Sequence, residues 1–416
     1  TDGGSTSRYS LSGEWHDRDS NGETKVTAYA MQYALQLFSN FTYAMDRPVT
    51  GDQFSQQDDR NIFGGKVSKS WSHMLGSLDA RSEVGVQLRN DRIHVGLYET
   101  QARQVLGATR VDDVRETMLG VYGQSTMGLT PWLRTIVGLR ADTAYFSVSS
   151  LTNSANSGKT NASLLSPKLS FVAGPWNKTE FFFNTGNGFH SNDARGTTAK
   201  ADPKTGDSVD PVPGLVALRG WEFGMRSEIF SHLQSSLSYW KLKSDSELLY
   251  VGDAGTTQAS HASQRQGIEF NNRWTPSDHF LLDADLALTH ARFVTGDRIP
   301  NAVDSVASIA ATIKDIGPWS GSLQWRYLGS GALTEDNSVR SDSASTFNLR
   351  ISRSMRDLTN RSSNVTIDVF NLLNTKVNDI QYYYATQLPG ETAPVHDKIV
   401  HPAEPRSIRV TYRTSF

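Results

Sequence analysis

The residues best suited to hold a ligand are few and scattered. His190, His261, His396 and His401 fall in or beside polar connectors, as do Asp193 and Asp253. Imidazole and carboxylate groups displayed this way suit the capture of a metal chelate; their plainer role is the polarity of a solvated connector. Asn192 and Arg195 flank Asp193 in the run Gly186–Gly196 and add an amide and a guanidinium to the same stretch. Tyr382, Tyr383 and Tyr384 offer three adjacent rings for stacking on an aromatic or haem-like ligand, or for packing among themselves. No catalytic constellation accompanies these groups. The chain has no cysteine, which excludes thiolate zinc sites, disulfides and cysteine nucleophiles. A His-Glu-x-x-His pair, a phosphate-cradling glycine loop and a serine elbow are all missing from the sequence. The expectation is a ligand-binding protein rather than an enzyme, with no cofactor and no metal site.

The elements that position these residues read as strands. Leu282, Ala284, Leu286 and Leu288 alternate with Asp283, Asp285 and Thr289; Val84, Val86 and Leu88 alternate with Glu83, Gln87 and Arg89; Val365, Ile367 and Val369 alternate with Thr366 and Asp368. Successive side chains of a strand point to opposite faces, so each stretch has one apolar and one polar face. Tight connectors carry proline at Pro131, Pro175, Pro276 and Pro318, three of them followed by tryptophan. Longer polar connectors alternate with these short ones, at Asp46–Arg60, Leu151–Ala162, Thr197–Pro213, Thr295–Val303, Thr334–Ser343 and Thr375–Glu404. Between them lie about seventeen strands, many longer than the usual five or six residues of soluble sheets. Gln234–Val251 reads as one strand; Ala302–Ile316 and Arg103–Glu116 fit strand or helix.

Composition narrows the class. The 416 residues carry 41 Lys and Arg against 43 Asp and Glu, a net charge of −2, which argues against a nucleic-acid partner. Mean hydropathy is −0.44, and no run approaches the ~18 apolar residues of a membrane-spanning helix. The chain opens on Thr1 rather than Met, as a processed chain or a fragment would. Three all-β architectures remain: a propeller, a soluble sandwich and a transmembrane barrel. Long strands, long connectors at one end only and tryptophans beside the short turns (Trp132, Trp176, Trp274 and Trp319) favour an antiparallel transmembrane β-barrel. On that reading Asp283, Asp285, Asp368, Arg140 and Arg326 face the lumen. The C-terminal stretch alternates as well: Ile408, Val410, Tyr412, Thr414 and Phe416 share one face and end in an aromatic.

Several motifs resemble those of TonB-dependent outer-membrane receptors. Gly188-Phe189-His190-Ser191 resembles the mid-barrel "GFxS" strand and loop, Ser166-Pro167-Lys168-Leu169 its preceding strand, and Asp368–Asn374 the penultimate strand; Pro405-Arg406 resembles the lead into the terminal strand. The resemblance implies a 22-stranded barrel of the bacterial outer membrane, an N-terminal plug gripped by the TonB complex, and outer loops that capture a scarce small molecule such as an iron–siderophore complex. Tyr412 and Phe416 would then form the signal read by the outer-membrane assembly machinery, and outer-membrane lipid would surround the wall. Neither plug nor TonB-contacting segment is recognisable in residues 1–416. Counting back from the last strand leaves about five strands unaccounted for, so the chain reads as a partial barrel. A passive outer-membrane porin and a soluble β-rich binding protein are the alternatives.

Overall fold

The computed structural model describes residues 2–251, 256–356 and 362–414. Asp253 and Phe416 therefore lie outside the described residues. Ten strands come first: β1 (Gly3–Arg18), β2 (Gly22–Ser39), β3 (Phe54–Leu75), β4 (Leu78–Gln101), β5 (Gln104–Thr130), β6 (Leu133–Ser150), β7 (Gly158–Trp176), β8 (Thr179–Ser191), β9 (Leu215–Ser227) and β10 (Leu233–Ser244). Then follow β11 (Leu248–Val251), β12 (Thr256–Ala259), β13 (Ser263–Ser277), β14 (Phe280–Phe293), β15 (Ser305–Ile316), β16 (Trp319–Leu328), β17 (Ala344–Arg356), β18 (Ser362–Phe370), β19 (Asn378–Thr386), β20 (Val395–Pro402) and β21 (Ser407–Thr414). Seventeen of these build one antiparallel barrel wall, each pairing with its neighbours in sequence. The other four form two separate hairpins, β11–β12 and β19–β20. One short helix, α1 (Ala194–Thr198), interrupts the β8–β9 connection.

The two faces of the wall follow the alternation in the sequence. Trp274, Leu282, Ala311, Leu323 and Leu349 lie in one cross-strand row, and Val369 and Ile408 extend it to the last strand. Leu286, Leu288, Leu323, Ile351, Ile367, Val410 and Tyr412 are exposed on that face. The opposite face is polar and internally paired. Arg273 Nε donates to Asp283 (2.8 Å), while Arg350 and Arg409 both donate to the buried Asp368 at 2.7 and 2.9 Å. Exposed apolar and buried charged residues are the reverse of a soluble sandwich and match a wall with lipid outside and water inside.

Close approach between strands sets several inward glycines opposite inward aromatics: Gly64 faces Tyr29, Gly85 faces Tyr122, Gly224 faces Phe182 and Gly267 faces Trp240. At Gly267 an added Cβ would stand 2.6 Å from the Leu288 carbonyl oxygen and 2.8 Å from the Trp240 ring. Gly267→Val is therefore expected to cost about 1–3 kcal/mol through overpacking, with Gly267→Ala milder. A lowered urea midpoint of the full-length receptor in lipid vesicles checks it.

Short and long connections sort by end. Residues 19–21, 76–77, 131–132, 177–178, 228–232, 278–279 and 317–318 turn at one end, where Trp132, Trp176, Trp274 and Trp319 are exposed. The connections at 40–53, 151–157, 192–214, 245–262, 294–304, 329–343 and 371–406 lie at the other, outer end. Several details differ from the sequence expectation. Ala102-Arg103 is a two-residue turn at the outer end, because β4 and β5 run on past the apolar band and close with both residues at positive φ, a geometry that matches strand twist. The stretch Gln234–Val251 is two strands, broken where Ser244 and Ser246 turn their hydroxyls onto backbone carbonyls. The connectors expected at Asp46–Arg60 and Leu151–Ala162 end earlier, since β3 begins at Phe54 and β7 at Gly158, and the one expected at Thr375–Glu404 contains the β19–β20 hairpin. Ala302–Ile316 and Arg103–Glu116 resolve as strand from Ser305 and Gln104 onward.

Candidate functional site

The outer connections knit together across the wall. Lys204 of the β8–β9 connection meets Asp46 of the β2–β3 connection at 3.1 Å. Gln387, at the end of the β19–β20 hairpin, exchanges backbone hydrogen bonds with that same β2–β3 connection: Ala44 N–H donates to its carbonyl (2.9 Å) and its N–H donates to Thr42 O (3.1 Å). On its other side the hairpin is tied to the β16–β17 connection, where buried Gln381 accepts from Asp342 N–H and donates to Asp342 O, and Lys398 pairs with Asp342 at 3.1 Å. Asp52 braces the β2–β3 connection by accepting from Arg47 N–H (2.7 Å) and the Thr42 hydroxyl (2.7 Å).

The sequence-identified residues fall into three groups on this canopy. The first is built around α1. Asp193 caps the helix by accepting from Arg195 N–H at 2.9 Å, and the Arg195 side chain folds back onto the same carboxylate at 3.0 Å. Asn192 is buried and donates to Pro213 O at 2.6 Å; its Oδ1 and the neighbouring His190 Nε2 are buried without a partner among the described residues. In the second group the Tyr383 and His396 rings meet at a tilt of 40°, centroids 6.0 Å apart, and Tyr382 and Tyr384 approach at 6.5 Å. These tyrosines lie on a strand, β19, rather than in an irregular loop, and Tyr382 is half exposed. His261 stands in the third, alone, edge-on to Phe293 at 6.1 Å.

Residues that sequence reading passed over hold the first group in place. Ala194 is fully buried against Val114, Ala144, Phe146, Val148 and Leu215, so the 192–214 connection is anchored on the inner wall by an apolar cluster. Arg110 donates to Arg195 O at 3.2 Å and is itself paired with Asp112, both buried. Asn156 binds three backbone groups of the connection, accepting from Lys200 and Ala201 N–H and donating to Ala201 O. Glu116 accepts from Ala194 N–H at 3.3 Å. For Arg110 and Glu116 the advance signal is inward parity on β5, which becomes readable once the register is known; Asn156 and Ala194 sit in connections and carry no such signal.

Glu116 lies beyond the apolar band, since the outward residues beside it on β5 are Thr117, Arg115 and Asp113. Burial, with Asp193 adding repulsion, pushes its carboxyl up to about 7. An acid raised in the docked state costs nothing below its ordinary value and a growing amount as pH rises from there through about 7. Docking of α1 is thus expected to loosen between pH 5 and pH 8, and Glu116→Gln to abolish most of that change. Amide hydrogen exchange over residues 194–201 at the two pH values is the measurement; equal protection at both would contradict it.

Comparison with known proteins agrees with this architecture. No curated protein sequence matches the chain. Solved structures do: the siderophore receptor PiuA from Acinetobacter baumannii (TM-score 0.74, 13% identity, covering 99% of this chain and 64% of that one), the ferric yersiniabactin uptake receptor FyuA from Yersinia pestis (0.70, 14%, 99% and 61%) and the copper transporter OprC (0.70, 16%, 90% and 61%). The chain thus spans less than two thirds of the length of these structures. Residues 1–372 match the family model described as TonB dependent receptor-like, beta-barrel, and the chain belongs to that family.

Proposed function

We propose that this chain forms the wall and outer loops of a bacterial outer-membrane receptor that takes up a scarce metal chelate, of the iron–siderophore class, by TonB-driven transport. The observation that carries the reading is the canopy: connections from opposite parts of the wall meet at one end, over a lumen lined with paired charges. The structural neighbours named as siderophore receptors and as a copper transporter support the cargo class. Tyr382, Tyr383, Tyr384 and His396 supply the stacking surface for the ligand. His261 and the His190, Asn192, Asp193 and Arg195 group offer polar contacts at the rim. A plug that TonB grips, and about five further wall strands, come from sequence outside these 416 residues. Tyr412 and Phe416 serve the outer-membrane assembly machinery.

The test is uptake of labelled ferric chelates by iron-starved cells expressing the whole receptor. Uptake is expected to require TonB and to fall about tenfold or more when Tyr382, Tyr383 and His396 are all changed to Ala, since ring stacking on a ligand contributes on the order of 1 kcal/mol per ring. Uptake that persists without TonB would instead identify a passive pore.

A further inference from the structure

The outward face of the wall carries an unpaired basic row just beyond its apolar band. Arg92 on β4 and Arg115 on β5 stand directly opposite each other across the ladder, and the row continues through Ser147 on β6 to Lys159 on β7. Alternation fixes their direction: Arg92 shares its face with exposed Leu88, Arg115 with exposed Leu119, and Lys159 with exposed Leu165. Each basic residue lies four to six residues outward of that leucine. The row between holds Phe63, Asn90, Thr117 and Tyr145, and both aromatics are about half exposed, as in an interfacial girdle. All three cations are exposed, and no described side chain makes a hydrogen bond or ion pair with any of them.

Two guanidinium groups set opposite each other on one face repel. The nearest carboxylates on that face are one row further out, where Asp113 is taken up by His94 at 2.7 Å and Asp59 lies opposite His94. Most other arginines of the wall have carboxylate partners, as at Asp58, Asp91, Asp112, Asp142 and Asp368. A repulsive pair kept at the girdle of a lipid-facing wall is relieved by anions of the surrounding leaflet. We propose that Arg92, Arg115 and Lys159 bind the phosphate groups of a phosphorylated lipid in the outer leaflet. Guanidinium forks suit phosphate oxygens bidentately, Arg92 and Arg115 are close enough to share one phosphate, and Lys159, two strands further, is about 10 Å away for a second.

The test uses the whole receptor extracted from outer membranes, stripped of lipid, and offered diphosphoryl lipid A or its dephosphorylated form in detergent, with retained lipid counted by native mass spectrometry. The native protein is expected to hold one diphosphoryl lipid per chain. Joint replacement Arg92→Ser, Arg115→Ser and Lys159→Ser should cut retention about tenfold or more, the loss of at least one charge-assisted phosphate contact. The charge-conserving pair Arg92→Lys and Arg115→Lys should keep most of it. Unchanged heat-dependent gel mobility and unchanged chelate uptake in the triple variant establish that the fold and the transport site survive. Equal retention by the triple variant, equal retention of the dephosphorylated lipid, or displacement by millimolar inorganic phosphate would each overturn the assignment; the last would make the row a site for free anions.

Discussion

The 416-residue chain refolded alone into lipid vesicles is expected to give no steady single-channel conductance and no heat-dependent shift in gel mobility. Among the described residues β1 pairs only with β2, and β21 only with β18. Each therefore presents one unpaired edge, and β1 contributes 16 residues of it, with Tyr9, Leu11 and Trp15 exposed on its outward face. Unpaired backbone groups at lipid depth cost several kcal/mol each, which is why a sheet that spans a membrane must close into a barrel. The two edges are also mismatched. With seventeen strands, each antiparallel to the next, the first and last run the same way, so a direct seam would be parallel and weaker. The outer canopy brings the two halves of the wall into contact at Thr42, Ala44 and Gln387 but adds no ladder between β1 and β21. Discrete, stable conductance steps from this polypeptide alone would mean that the edges do seal, and would favour a pore over a partial wall.

The wall was readable in advance because lipid outside and water inside impose opposite polarity on successive residues. Leu282 to Leu288 and Ile408 to Tyr412 keep that contrast over the whole crossing, and the number of wall strands, seventeen, agrees with the sequence expectation. Legibility fails where both faces meet water. Beyond Leu119, β5 continues through Thr117, Arg115 and Asp113 outward and Glu116, Val114 and Asp112 inward, so polarity no longer marks the faces and the strand end at Gln104 is invisible. The candidate site was legible only as chemistry. His190, Asn192, Asp193 and Arg195 are neighbours in the sequence itself, whereas what ties their connection down is Asn156 on another connection, Glu116 on β5 and backbone groups of residues 194–201, which side-chain pattern does not record. The contact between Gln387 and the β2–β3 connection is likewise backbone to backbone, and nothing in either sequence stretch announces it.

Leu286→Arg is expected to destabilise the closed, full-length receptor by about 2–4 kcal/mol in vesicles, whereas Asp285→Asn one residue away should change little. Leu286 faces outward in a row with Phe270 on β13 and Ala307 on β15, and is 39% exposed. It stands four residues beyond Leu282, which is level with the girdle residue Trp274. At about 3.3 Å per residue and a tilt near 40°, that is roughly 10 Å into an apolar band about 25 Å tall, close to its middle. A guanidinium there has no partner on its face, since the outward side chains around it are Phe270 and Ala307 across the ladder and Ala284 and Leu288 along its own strand, and it cannot easily reach either interface. Asp285 points the other way, beside Asn271 and Ser308 in the polar lumen, and is exposed to water. Its replacement by an amide removes a charge that is not buried, so the penalty is on the order of a surface change, within about 0.5 kcal/mol. Denaturant titration of both variants in vesicles decides the matter: equal, small effects at the two positions would mean that the Leu286 face does not meet hydrocarbon, and the membrane reading of the wall would fall with it.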